Sequence, residues 1–187
     1  MDMSQYQIAV VIGSLRRDSY NRHLAKALER LAPEDFELHE ARIDDLPLYN
    51  QDDDENQAPS VKRLKNEIAA ADGVIFVTPE YNRSIPGVLK NAIDSASRPY
   101  GQSAWQGKPA GVIGASIGAP GTCMAQQHLR NVLAYLDMPT LAQPETFIHV
   151  REGVFDAAGD VVSPDTMRYL QRWMDRYTAW VKRFVQR

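Results

Sequence analysis

Three uninterrupted apolar runs constrain the fold of this chain more than any other feature. They are IAVVI (8–12), GVIFVTP (73–79) and AGVIGAS (110–116). Apolar runs without polar alternation are typical of strands that are buried on both faces, as in a parallel sheet with helices on either side. Weaker strand patterns occur at 36–41 and around 147–150. The sequence therefore predicts five strands.

Stretches with helical spacing of apolar residues separate these runs. They lie at 24–32, 61–71, 88–96, 125–136 and 167–184. The last stretch follows Ser163 and Pro164, which are a typical cap and first residue of a helix. Strands that alternate with helices predict a doubly wound α/β fold, a five-stranded parallel sheet with helices on both faces. Because no repeat or linker divides the 187 residues, we expect a single domain, 1–187.

Composition excludes several classes of function. The 21 Lys and Arg residues against 24 Asp and Glu residues give a net charge of −3, which argues against nucleic acid as a partner. No segment has the length of a membrane span and no export signal is visible, so we expect a cytoplasmic protein with no membrane partner. Cys123 is the only cysteine, which excludes an intramolecular disulfide and a cysteine-based zinc site. The acidic run 52–55 lacks the ligand spacing of a calcium loop, and we predict a solvated loop from 44 to 60 and no metal site.

Three loops follow the apolar runs and have unusual compositions. In an open α/β sheet, ligands bind beyond the carboxyl ends of the strands, where we expect residues 13–21, 78–86 and 116–123 to lie. The second loop, TPEYNRSIP, combines two prolines with polar residues and one tyrosine. The third contains SIGAPGT, whose glycines allow a close approach of another backbone or a ring. The three loops are the candidate ligand site.

The first loop, GSLRRDSYN, leads directly into a predicted helix. A helix N-terminus offers unpaired N–H groups and the positive end of a dipole. With Ser14, Arg16, Ser19 and Asn21 as further donors, this loop suits a phosphate. The same residues also suit an ordinary turn in which Ser19 caps the helix and the arginines are solvated. The loop alone leaves both interpretations open.

Together the loops resemble those of the NAD(P)H-dependent FMN reductases, flavodoxin-like enzymes that include quinone, chromate and azo-compound reductases. GSLRRDSYN is similar to the family's Gly-Ser-Leu-Arg-x-x-Ser-x-Asn phosphate loop. PEYNRSIPGVLKNAIDSASRP (79–99) resembles the family's most specific signature, and LPLYNQD (46–52) also resembles the family's pattern. The resemblance extends to about Arg151. Two positions depart from the family pattern: Ser95 stands where an aromatic residue is usual, and Thr122 stands where a second glycine is usual.

This resemblance implies FMN as the cofactor and NADPH or NADH as the co-substrate. It implies a phosphate site made of Ser14, Arg16, Ser19 and Asn21. It implies an isoalloxazine site lined by Pro79, Glu80, Tyr81 and Asn82, with Ser116 on the far side. Arg83 is a candidate contact for the nicotinamide or the acceptor. We expect no catalytic side chain, because the flavin itself carries the chemistry.

The implied function is the passage of hydride from the nicotinamide through FMN to quinones, to metal oxyanions such as chromate or to azo compounds, by a ping-pong mechanism. The alternative is a flavodoxin-type electron carrier or a flavin-binding module without turnover of its own, although such carriers are usually more acidic than this chain. The resemblance also implies a homodimer or homotetramer. In that assembly Arg130 and Glu145 are expected to pair across the interface.

Overall fold

The structure is a computed structural model that describes residues 6–185, and it contains the predicted alternation of strands and helices. The strands are β1 (Tyr6–Ile12), β2 (Phe36–Glu40), β3 (Gly73–Val77), β4 (Ala110–Ser116) and β5 (Phe147–His149). The helices are α1 (Tyr20–Leu31), α2 (Pro59–Ala70), α3 (Gly87–Ala96), α4 (Cys123–Tyr135) and α5 (Pro164–Val181). The sheet order is β2-β1-β3-β4-β5, and every pairing of these strands is parallel. The predicted doubly wound fold is confirmed.

The sheet separates two apolar cores. In β1, Ile8, Val10 and Ile12 pack into the core that α1 and α5 cover. The intervening Ala9 and Val11 pack into the core that α2, α3 and α4 cover. Since successive side chains of a strand point to opposite faces, a strand with helices on both sides needs apolar residues at every position. This explains the uninterrupted runs in the sequence.

Helix α5 packs an aromatic pair directly on the sheet. Trp173 and Tyr177 are fully buried, and their rings stack with centroids 5.4 Å apart. A Cβ atom on Gly111 would lie 2.7 Å from the Tyr177 ring, and one on Gly73 would lie 2.8 Å from its hydroxyl. The two strand glycines therefore make room for these rings.

The acidic run forms a short helix within the predicted solvated loop. Residues Gln51–Asn56 form a 3-10 helix, which Asn50 caps by accepting a hydrogen bond from the Asp52 N–H at 3.2 Å. The Arg98 guanidinium donates from Nε and Nη2 to Oδ2 of Asp54, at 3.0 and 2.7 Å. This contact holds the helix against the end of α3, where the Asp54 side chain is 11% exposed. Among residues 6–185, no group of three His, Cys, Asp or Glu side chains is placed to hold a metal ion.

The helices are also too short or too polar for a lipid bilayer within residues 6–185. Within the described part of the chain, none is both long and apolar enough to cross a membrane.

Candidate functional site

The three loops meet at the carboxyl edge of the sheet, where the strand order reverses between β1 and β3. The strands end side by side, since Ile12 pairs with Val77 and Val77 with Ile113. The loops that follow are closely packed: a Cβ atom on Gly13 would lie 3.4 Å from Cδ of Pro79. This edge is where the ligands of such sheets bind. The structure thus brings the predicted loops together.

The first loop presents backbone N–H groups that have no acceptor in the protein. The N–H of Gly13 donates to the Val77 carbonyl at 2.9 Å. None of the N–H groups from Ser14 to Ser19 donates to another atom of residues 6–185. Ser14 and Ser19 are 4% and 3% exposed, which places both residues in the body of the loop. Unpaired N–H groups just ahead of a helix form an anion site.

Ser19 also caps α1, as the ordinary-turn interpretation predicts. Its Oγ accepts a hydrogen bond from the Asn21 N–H at 3.2 Å. Accepting this bond leaves the hydroxyl hydrogen free to donate to a ligand. The two interpretations of the loop are therefore compatible.

Asn21 ties the start of α1 to β4. Its Nδ2 donates to the Ala115 carbonyl and its Oδ1 accepts from the Ala115 N–H, both at 2.9 Å. The residue is 3% exposed. One of the two Nδ2 hydrogens remains for a ligand. Asn21 thus fixes the start of α1 against β4 and keeps one donor for the predicted phosphate.

Arg16 lies on the exposed side of the first loop. Its Nε donates to the Asp18 carbonyl at 2.9 Å, and its guanidinium lies over the Tyr20 ring, 5.2 Å from the centroid. Arginine stacks well in this way because its guanidinium is planar and delocalised. These contacts hold a positive charge beside the free N–H groups of the loop.

The second loop contains a tight turn with positive backbone angles. The N–H of Tyr81 donates to the Ser84 carbonyl at 2.9 Å, and the N–H of Ser84 donates to the Tyr81 carbonyl at 3.0 Å. Asn82 and Arg83, between them, have φ of 51° and 65°, as a type I′ turn requires. Arginine rarely adopts such angles. Asparagine adopts such angles readily, so only Arg83 holds a backbone conformation that its residue type does not favour.

The side chain of Glu80 joins the second loop to α4. Its Oε2 accepts from the N–H groups of Met124 and Ala125, at 3.0 and 3.1 Å. Thr122, the N-cap residue of α4, makes no side-chain cap hydrogen bond. Glu80 therefore caps α4 in its place and joins the second loop to the third. The part of Glu80 that remains available to a ring is its backbone.

Two further side chains complete this junction. Nδ1 of His128, on α4, lies 3.0 Å from the Ser84 hydroxyl. The exposed Arg83 guanidinium lies 3.8 Å from Oε1 of Glu80. No local sequence pattern identifies His128, because its neighbour in space is 44 positions away in the chain. Only the contact between the helix and the turn identifies it.

Contacts with its own residues and with neighbouring elements fix the conformation of the third loop. Ser116 Oγ accepts from the Gly118 N–H at 3.1 Å. Gly121 has a φ of 63°, and a Cβ atom there would lie 3.0 Å from Phe147. Thr122, the departure from the family pattern, is fully buried and accepts a hydrogen bond from Nε2 of Gln126 at 2.9 Å. It supports the loop without occupying its outer surface.

Arg130 and Glu145 lie together within one chain. Their closest charged atoms are 3.8 Å apart, and Nη1 of Arg130 donates to the Leu141 carbonyl at 2.7 Å. Burial lowers the pKa of the guanidinium, and Glu145 opposes this shift. The segment that carries Leu141 and Glu145 runs along the flank of α4. The two residues are thus neighbours within one chain, and their pairing across a subunit interface stays a prediction.

Comparison with known proteins gives a consistent assignment. The sequence profile of the NADPH-dependent FMN reductases matches residues 6–152. A 2-hydroxy-1,4-benzoquinone reductase from Burkholderia is 57% identical over 176 residues, which are 94% of this chain and 96% of that protein. A quinone reductase from Pseudomonas putida is 50% identical over 96% of this chain and 97% of its own length.

Solved structures agree with the sequence comparison. FerB, a flavoenzyme NAD(P)H:(acceptor) oxidoreductase from Paracoccus denitrificans, has a TM-score of 0.91 at 44% identity and covers 96% of this chain and 98% of its own. A WrbA-like flavodoxin from Agrobacterium tumefaciens shares the fold, with a TM-score of 0.60 at 18% identity over 97% of this chain and 100% of its own. The fold is therefore flavodoxin-like. With its three loops at the carboxyl edge, the chain belongs to the family of NADPH-dependent FMN reductases.

Proposed function

We propose that the three loops hold FMN and that the protein reduces quinones at the expense of NAD(P)H. The observation that carries this proposal is the row of N–H groups from Ser14 to Ser19 without an acceptor among the described residues. An anionic phosphate supplies the acceptors that this loop lacks. Membership of the FMN reductase family identifies that phosphate as the one of FMN.

The residues present fit this cofactor. Ser14, Ser19 and the remaining Nδ2 hydrogen of Asn21 add neutral donors to the N–H groups, and Arg16 adds a positive charge. Hydrogen bonds to a charged group are stronger than neutral ones. The first loop thus has both the geometry and the charge for a phosphate.

The second and third loops form the proposed ring site. The N–H groups of Glu80, Asn82 and Arg83 have no acceptor among residues 6–185, so they can donate to the polar edge of a flat heterocycle. Fixed donors of this kind stabilise negative charge without reorganisation. FMN, when bound, supplies the chemistry by accepting hydride from a nicotinamide and passing reducing equivalents to the acceptor. The protein positions the ring and leaves room beside Tyr81, which is 51% exposed.

We assign quinones as the principal acceptor class, because the relatives at 57% and 50% identity are a benzoquinone reductase and a quinone reductase. Chromate and azo compounds are proposed as further acceptors. Because both relatives are enzymes, they favour an enzyme over a flavodoxin-type carrier. We also propose that the protein works in the cytoplasm, where reduced nicotinamide is supplied.

Steady-state kinetics test this proposal. One open ring face has to serve the nicotinamide and the quinone in turn, so the mechanism is ping-pong. Double-reciprocal plots against NADPH at several benzoquinone concentrations should give parallel lines. Intersecting lines would show that NADPH and the quinone bind at the same time. This would contradict the proposal that both use the same ring face.

A further inference from the structure

The turn from Glu80 to Ser84 is held at both ends by the first two turns of helix α4. At the first end, Oε2 of Glu80 accepts hydrogen bonds from the N–H groups of Met124 and Ala125, at 3.0 and 3.1 Å. At the other end, the Ser84 hydroxyl lies 3.0 Å from Nδ1 of His128. The two contacts on α4 are three to four positions apart, which is about one helical turn. Helix α4 therefore supports the turn at two points.

This support matters because one position of the turn has an unfavourable backbone. Arg83 has a φ of 65°, an angle that arginine rarely adopts. The backbones of Tyr81 and Ser84 exchange two hydrogen bonds that close the turn around this position, at 2.9 and 3.0 Å. Because Ser84 takes part in both bonds, a contact that fixes Ser84 also fixes the closure of the turn.

The same turn carries the donors of the proposed ring site. The N–H groups of Glu80, Asn82 and Arg83 have no acceptor among residues 6–185, and their directions depend on the backbone angles of the turn. Fixed donors stabilise negative charge without reorganisation, and hydrogen bonds to a charged group are stronger than bonds to a neutral one. A shift of the turn should therefore weaken the binding of a ring that has gained electrons more than the binding of the oxidised ring.

His128 reaches this turn only through Ser84. Its side chain lies on the exposed side of α4, whereas Leu129 and Leu133 form the buried side of the helix. No core packing therefore depends on the imidazole. The Ser84 hydroxyl can donate or accept, so the contact forms with either tautomer of the histidine ring.

We propose that His128 is a positioning residue for the flavin ring. Through Ser84 it fixes the turn whose N–H groups bind the ring, and it thereby raises the affinity of the protein for reduced FMN relative to oxidised FMN. Tighter binding of the reduced form shifts the redox equilibrium toward that form, which raises the midpoint potential of the flavin and favours uptake of hydride. This inference rests on the proposed function, because it requires FMN at the three loops.

A spectroelectrochemical titration of the FMN-loaded protein tests the role of His128. His128→Ala should lower the midpoint potential by about 15–30 mV, which corresponds to a loss of affinity that is about three- to tenfold larger for reduced than for oxidised FMN. Loss of one hydrogen bond has an effect of this size. His128→Asn provides a polar atom close to the place of Nδ1 and should restore most of the potential.

Further variants separate this contact from a general effect on α4. Ser84→Ala removes the other partner and should lower the potential equally, and the double variant with His128→Ala should fall no further. Asn131→Ala is the matched control, because Asn131 is exposed on α4 and takes no part in the contacts with the turn. Its potential should equal that of the unmodified protein.

Riboflavin distinguishes the turn from the phosphate loop. Because His128 acts on the ring side of the site, His128→Ala should weaken the binding of FMN and of riboflavin by the same factor. An unchanged potential in His128→Ala, an equal fall in Asn131→Ala, or a loss that affects FMN alone would each overturn the inference and leave the proposed function intact. Failure of the unmodified protein to bind FMN would contradict the proposed function itself, so the two failures are distinguishable.

Discussion

At the scale of single residues, polar side chains that reach across the sheet edge hold the site together. Asn21 binds both backbone groups of Ala115, and Glu80 binds two N–H groups of α4. Each joins one loop to the start or end of another element. A site that is fixed by such supporting contacts is ready for its ligand before binding.

Arg16 provides a test of the phosphate loop. Arg16→Ala should weaken FMN binding by roughly 10- to 150-fold, the range for loss of a hydrogen bond to a charged group. Riboflavin, which lacks the phosphate, should be affected little. Arg17→Ala is the matched control and should leave FMN affinity nearly unchanged. Flavin fluorescence titration measures all three, and equal losses for FMN and riboflavin would show that Arg16 acts on the fold of the loop instead.

Glu80 provides a test of the junction between the second and third loops. Glu80→Ala removes the acceptor for two N–H groups of α4 and should lower the free energy of unfolding by about 0.5–2 kcal/mol, as the loss of a helix cap does. Glu80→Gln keeps one acceptor oxygen and should lose less. Urea denaturation of the FMN-free protein measures both variants. A fully stable Glu80→Ala variant would show that these contacts do not support the helix.

The sequence predicts contacts between residues that are near in the chain better than contacts between distant residues. The positions of Ser14, Ser19 and Arg16 follow from the strand, turn and helix that surround them, so the sequence predicts them directly. The partner of Asn21 is 94 positions away and that of Glu80 is 44 positions away. Only the arrangement of the strands brings these groups together. The sequence therefore predicts which loops form the site but not which side chains tie them.

At the scale of elements, burial on both faces makes the central strands predictable. The run 8–12 falls within β1, and the runs at 73 and 110 begin β3 and β4. The 3-10 helix Gln51–Asn56 has no buried residue, so no apolar periodicity reveals it, and its position depends on the contact between Asp54 and Arg98. This helical turn is thus unpredicted because polar contacts, and not apolar packing, determine it.

The contact of α5 with the sheet gives a prediction for stability. The Tyr177 hydroxyl is buried and has no hydrogen-bond partner within residues 6–185. Tyr177→Phe removes that unpaired group, so the free energy of unfolding should stay unchanged or rise by about 1 kcal/mol.

Gly111→Ala places a Cβ atom against the Tyr177 ring and should lower the free energy of unfolding by about 1–3 kcal/mol. Denaturant titration at neutral pH measures both, and a large loss in Tyr177→Phe would reveal a hydrogen bond to that hydroxyl.

The same tyrosine should make stability depend on pH in alkaline solution. Burial raises the pKa of Tyr177 well above its ordinary value of 10.0. As the pH rises through 10, the unfolded chain loses this proton while the folded chain keeps it, so stability falls with increasing pH. The Tyr177→Phe variant is the control and should lose less stability over the same range. Identical alkaline slopes would contradict the raised pKa.

At the scale of the whole molecule, we predict a homodimer or homotetramer. Tyr100 and Tyr135 are each 85% exposed and line one groove, and exposed aromatic residues are common in protein interfaces. Tyr135→Lys should therefore shift the mass in light scattering toward a smaller species. This variant leaves the contact between Arg130 and Glu145 intact. An unmodified protein that is monomeric at micromolar concentration would contradict the prediction.

The central claim, an FMN enzyme that takes electrons from NAD(P)H and gives them to quinones, is tested most directly by an anaerobic half-reaction. The FMN-loaded protein is mixed with a stoichiometric amount of NADPH while the visible flavin absorbance is recorded. We expect this absorbance to fall before any acceptor is present and to return when benzoquinone is added. An absorbance that NADPH leaves unchanged, or quinone reduction at the same rate by the FMN-free protein, would contradict it.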